Sequence, residues 1–160
     1  MSTYVPSEEA LLAAVRASGN GATFTTQNSA RGDFTVLDKA GVTSAAVLMQ
    51  AGKSEYADNL GGGRGAHGKR QQRHQIAVIL FQARGQADDG TATQALHGQK
   101  DALIAYLDTY PRLNNAAGVK RAAVVEADVP RVRQARAWIF QAILVEILTE
   151  TAPVLQEGPH

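Results

Sequence analysis

The sequence contains no cysteine. Disulfides, thiolate nucleophiles and cysteine metal sites are therefore all excluded. Neither sign of charge is in excess: 16 Lys and Arg against 15 Asp and Glu leave a formal charge of +1. That balance gives no global push toward nucleic acid or anionic lipid. No apolar run reaches transmembrane length, so no membrane partner is expected. The opening residues, Met1 to Glu9, carry neither a basic segment nor an apolar core. The expectation is a protein without a secretory signal, made in the cytoplasm. Across 160 residues the hydrophobic share is 44%, enough for a single domain with a real core.

What is present is organised around the stretch from Gln75 to Glu150. Residues 75–83 are nearly all apolar and rich in β-branched types, as in a central strand covered on both faces. Arg84-Gly85 ends the run, and Asp88-Asp89-Gly90-Thr91 offers helix caps. Ala92, Ala95, Leu96, Ala102, Leu103, Tyr106, Leu107 and Tyr110 then recur at helical spacing until Pro111. The expectation is a helix packed on that strand, with Leu103 and Leu107 buried against residues 76–81. Residues 119–127 follow Gly118 as a strand broken near Pro130, and residues 136–148 form another apolar run. In that last run Arg136, Gln141 and Glu146 fall five apart, fitting neither period. Its Trp, Phe, Ile and Val content favours a strand. A helix over 134–149 is the alternative. Strand, helix, strand, strand predicts an α+β fold: a mainly antiparallel sheet carrying an N-terminal helix and one central helix. The domain is expected to span 1–151, with 152–160 a disordered tail.

Earlier in the chain, Pro6-Ser7-Glu8-Glu9 reads as a helix start, with a cap and then acids in the first turn. Leu11, Leu12 and Val15 supply its stripe, and Gly19 its end. Residues 22–26 and 34–37 read as strands. Residues 38–41 read as a turn and 42–49 as a buried strand, paired with 75–83. Residues 53–73 are glycine-rich, without apolar periodicity, and carry Arg64, Lys69, Arg70 and Arg73 with no acid after Asp58. A loop of that length inside a domain is usually functional or disordered. Here it is read as a basic arm ordered on contact with a partner.

Catalytic motifs are spelled but misplaced. Gly63-Arg-Gly-Ala-His-Gly68 matches a dinucleotide fingerprint and nearly a phosphate-binding loop. The glycines precede a strand, however, and no helix follows to aim its N-terminus at phosphate. His67 and His74 lack a third ligand and are read as solvated, and His97 is read as a half-exposed histidine within the helix. Asp88 with Asp89, and Asp101 with Asp108, are explained by capping and solvation. Arg31-Gly32-Asp33 spells a cell-adhesion tripeptide, which arises easily by chance. The reading is a non-enzyme with no cofactor and no metal.

The order of elements, together with His74-Gln-Ile-Ala-Val-Ile-Leu-Phe81 and the helix end Leu107-Asp-Thr-Tyr-Pro111, resembles the tail terminator proteins of long-tailed bacteriophages and related tailed particles. The resemblance covers roughly residues 7–151. It implies a hexameric ring at the head-proximal end of a virion tail, halting growth of the tail tube and meeting a head-side connector or stopper. DNA would pass through the lumen without sequence-specific contact. In the family the long loop between strands belongs to the intersubunit or tube contact surface, and here it matches 53–73, with Arg64, Lys69, Arg70 and Arg73. A neck or head-completion connector, or a small adaptor using the basic loop, are the alternative readings.

Overall fold

The computed structural model describes residues 2–18, 23–57, 70–84, 89–116, 118–133 and 138–151. These form an α+β fold. Two helices, α1 (Tyr4–Ser18) and α2 (Asp89–Thr109), accompany seven strands. The strands are β1 (Ser29–Arg31), β2 (Ser44–Gln50), β3 (Glu55–Ala57), β4 (Arg70–Ala83), β5 (Val119–Ala127), β6 (Arg131–Arg133) and β7 (Trp138–Thr151). The main order is β1-β2-β4-β7-β5, with β3 beside β4 and β6 beside β7. Only β1 and β2 are parallel neighbours; the other pairs are antiparallel.

The centre of the sheet is the ladder between β4 and β7, in register from Arg70–Thr151 to Ala83–Trp138. Side chains alternate across it. Ile76, Val78 and Leu80 join Ile143, Val145 and Ile147 on one face, where Leu11, Val15, Leu96, Leu103 and Leu107 close the core. Both helices therefore cover the same side. The predicted burial of Leu103 and Leu107 against this strand holds, at 1% and 2% exposure. The run from residue 138 is a strand, which removes the helical alternative. It is apolar at both parities because its two faces both meet hydrophobic neighbours.

Four sequence expectations need correction. α1 starts at Tyr4, with Ser7 N–H donating to Thr3 O at 3.1 Å, so Ser7 is a buried helical residue and not the cap. Pro6 is tolerated there because the first turn's N–H groups lack intrahelical acceptors anyway. Residues 34–38 form a 3-10 helix, because Asp33 accepts from Thr35 N–H and Thr35 Oγ1 at 2.9 and 2.6 Å and turns the chain. Residues 23–26 are a bend and turn: Asn28 Oδ1 accepts from Thr25 N–H while its amide donates to Thr23 O and Ser44 O. Such local side-chain bonds outcompete a ladder. Finally, residues 53–73 are not a loop throughout, since Glu55–Ala57 pairs with Gln71–Arg73 as β3 against β4. The expected tail, 152–160, lies outside the described residues.

Candidate interaction surface

Among the described residues, the second face of the sheet is only half covered. Val36 and Leu37 of the 3-10 helix pack there on Ala45, Val47, Phe81 and Trp138. Beside them Phe34, Ile79, Phe81 and Phe140 line a hollow of about 260 Å³. Further along, register places Met49, Ala77 and Leu144 side by side on the same face. Met49 is 40% exposed, and Ala77 and Leu144 are half-buried. A shallow groove of about 140 Å³ follows, lined by Arg73, Arg121, Ala123, Val125, Glu146 and Leu148. The result is an apolar field running from Phe34 to Leu144, bounded at one end by the polar pair Gln75 and Glu146. Contiguous exposed apolar surface of this kind marks interaction sites. No single motif signals it. The available signal is arithmetic: two long strands apolar on both faces need two covers, and both described helices go to one.

The four cations singled out in the sequence do not form one described cluster. Arg64 and Lys69 lie outside the described residues. Arg70 and Arg73 open β4, and their odd spacing puts them on opposite faces. Arg73 pairs with Glu55 at 3.5 Å and Glu146 at 3.2 Å. The Gly63–Gly68 fingerprint also lies outside the described residues, as do His67 and Asp88.

The tripeptide 31–33 is absorbed by local structure. Arg31 pairs with Glu8 and Glu9, each at 3.3 Å. Gly32 has φ +66°, and Asp33 caps the 3-10 helix. The hydrogen bonds from Thr35 hold the Asp33 carboxyl below the usual carboxylate range. Asp89 accepts from Nε and Nη2 of Arg84 at 3.0 and 2.9 Å, which lowers its pKa.

His74 corrects the expectation of solvated histidines. It is fully buried on the helix side of β4, bonded through Nε2 to Thr3 Oγ1 at 2.8 Å and through Nδ1 to Ser54 Oγ at 2.7 Å. Burial pushes its pKa down. Its partners stand 71 and 20 residues away in sequence, beyond the reach of local pattern. His97 lies within α2 and is exposed, beyond the half-exposure expected. Among the described residues no three His, Asp or Glu side chains gather as a metal site, and no helix is long and apolar enough to cross a membrane.

No protein-family model matches the chain, and no curated protein matches it. Solved structures of similar fold exist. One is a chain in the virion of a native gene transfer agent particle, 12% identical, with 85% of this chain aligned to 84% of that one at TM-score 0.41. Another is the sheath/tube terminator of an extracellular contractile injection system in its extended state, 14% identical, at TM-score 0.46. There the match takes in 100% of this chain but 63% of the other.

Proposed function

We propose that this chain is a structural protein of a phage-type tail. Six copies close a ring at the head-proximal end, stop polymerisation of the tail tube, and present the surface that joins the head-side connector. The observation that carries the reading is the half-covered sheet face. A domain that leaves Met49, Ile79, Phe140 and Leu144 in contact with solvent has surface to bury against another chain. The resemblance in the sequence supplies the kind of assembly.

A closed ring needs heterologous contacts, in which two different patches of the same chain meet. The apolar field is one patch, and the segment holding Arg64, Lys69, Arg70 and Arg73 belongs to the contact with a neighbour or the tube end. The tail tube protein and the connector are the remaining partners. DNA crosses the lumen without sequence-specific contact, and the assembly sits in the virion after forming in the host cytoplasm.

Native mass spectrometry and negative-stain imaging test this directly. The wild-type chain forms rings and, with tube protein present, tails of uniform length. Leu144→Glu places a charge in the field at a half-buried position, so the monomer stays folded while rings dissociate. Deleting residues 61–68 keeps the fold, because shortening the connection between β3 and β4 changes closure entropy only slightly, and it weakens capping. Rings and tail lengths indistinguishable from wild type in both variants refute the proposal.

A further inference from the structure

The buried polar cluster at the start of α1 fixes the protons of His74. Gln72 Oε1 accepts the Thr3 N–H at 2.8 Å and lies 2.9 Å from Thr3 Oγ1. An amide oxygen only accepts, so the single hydroxyl proton of Thr3 is spent on Gln72. Thr3 Oγ1 must then accept from its other two neighbours, Thr149 Oγ1 at 2.7 Å and His74 Nε2 at 2.8 Å. His74 is therefore the Nε2–H tautomer, and its bare Nδ1 accepts from Ser54 Oγ–H at 2.7 Å. One side chain thus ties down two pieces of chain: the residues that start α1, and the connection that leads into β3.

We infer that His74 is an acid-sensitive latch, whose protonation releases the start of α1 and the root of β3 together while the sheet centre stays closed. A second ring proton turns Nδ1 into a donor aimed at a hydroxyl that was donating to it. The new charge would also sit in a fully buried place. The groups facing it do not compensate. From α1 comes the uncharged ring of Tyr4 at 5.5 Å, and from β3 that of Tyr56 at 6.5 Å, each nearly perpendicular to the imidazole. β7 contributes Thr149 and, opposite in register, Ile147. On β4 itself stand Gln72 and, four residues back on the same side, the cation Arg70. Lys53 adjoins Ser54 and adds a second cation. The carboxylates nearby are engaged elsewhere: Glu8 accepts from the Tyr4 hydroxyl at 2.5 Å and pairs with Arg31, while Glu55 and Glu146 pair with Arg73.

The sign follows. Burial places the folded-state pKa below the ordinary histidine value of 6.5. The latch is complete above that value and is lost as pH falls from there through the folded-state pKa. The device is independent of any ring or tail.

Nuclear magnetic resonance of the full chain reads both halves. The His74 ring protons give its titration, and amide exchange protection factors give the opening. In a series of samples taken downward from neutral pH, protection at Ser7 and at the amides of β3 paired to β4 should have fallen about tenfold per unit of pKa depression once His74 has taken up its proton. Protection at Val78 and Ile143 should hold. In His74→Gln, the acid step at β3 and α1 should vanish. Should that variant not fold, Ser54→Ala keeps the Thr3 half and removes the other, so β3 should lose protection at neutral pH while Ser7 keeps it. A ring that titrates at or above 6.5, a titration without loss of protection, an acid step surviving in His74→Gln, or unchanged β3 protection in Ser54→Ala would each overturn the latch.

Discussion

Replacing Leu103 by alanine separates the two faces of the sheet energetically. Leu103 is 1% exposed and stands among Leu96, Leu107, Ile76, Val78 and Ile143. Removing three carbons forfeits roughly 2.4 kcal/mol of transfer free energy at about 0.8 kcal/mol per methylene. A cavity term adds to this, at about 24 cal/mol per Å³ left unfilled. Collapse is resisted because Ile76 and Val78 are held by ladders on both sides, with β2 and with β7. The expected loss is about 3–5 kcal/mol, in the upper part of the range for Leu→Ala. Leu144→Ala is the matched control. Its side chain is half-buried on the open face, so solvent refills the space and about 1 kcal/mol is expected. Urea titrations at concentrations where native mass shows monomer give both values, with Trp138 fluorescence and far-ultraviolet circular dichroism as paired probes. The slope with urea should stay constant. For a chain of this size about 2–4 °C accompanies each kcal/mol, so the Leu103→Ala melting temperature should drop by roughly 6–20 °C. If Leu103→Ala lost less than Leu144→Ala, the assignment of core and open face would be wrong.

Other outcomes follow from single contacts. Asp33→Ala should lower the urea midpoint by stripping the cap of the 3-10 helix, and Asp33→Asn should recover most of it. The charged cap's contribution is present above the ordinary carboxylate value and disappears as pH falls through the lowered Asp33 pKa, so Asp33→Asn should flatten that part of the acid limb. Gly118 has φ +79°, with space for a methyl at 3.5 Å from Thr151 and 3.6 Å from Glu150. Gly118→Ala should thus cost backbone strain alone, about 1–2 kcal/mol. A loss well beyond that in urea would mean the β5–β7 register has shifted.

Elements whose signals are local and mutually consistent were legible in the sequence. α2 has Asp89 near its start, a stripe of Ala92, Leu96, Leu103 and Leu107, and Pro111 beyond its end, so periodicity and stop signal agree. β4 and β7 advertise themselves through β-branched density. Phe34 to Leu37 misled because their strand propensity is real, yet one hydrogen-bonded Asp33 outweighs it. Residues 70–73 look like loop because Arg and Gln dominate. They become strand because β7 continues past Leu148 and offers Thr149, Glu150 and Thr151 as partners. That partnership spans about half the chain. β1 is similar: three residues given strand geometry by parallel pairing to Ala46–Leu48. The candidate surface was illegible for a related reason. A half-exposed Leu144 and a buried Ile143 have the same composition, and only the placement of both helices on one side distinguishes them.

The sheet's edge bears on how such a chain associates. β5 is an outer strand nine residues long, and an unprotected edge of that length invites pairing with any other strand. It is guarded. Register shifts between Val119 and Arg121 and between Val124 and Glu126 interrupt the ladder with β7 and twist the strand. Lys120, Arg121 and Glu126 add exposed charges along it. The field formed by Met49, Ile79, Phe140 and Leu144 meets one charge in register, Glu126 opposite Leu144, and ends at the paired Arg73 and Glu146. Edge pairing is disfavoured where it would be least selective, while the face keeps its apolar side chains. The balance favours association through the face, where shape and side chains choose the partner, over strand addition, which any backbone can satisfy.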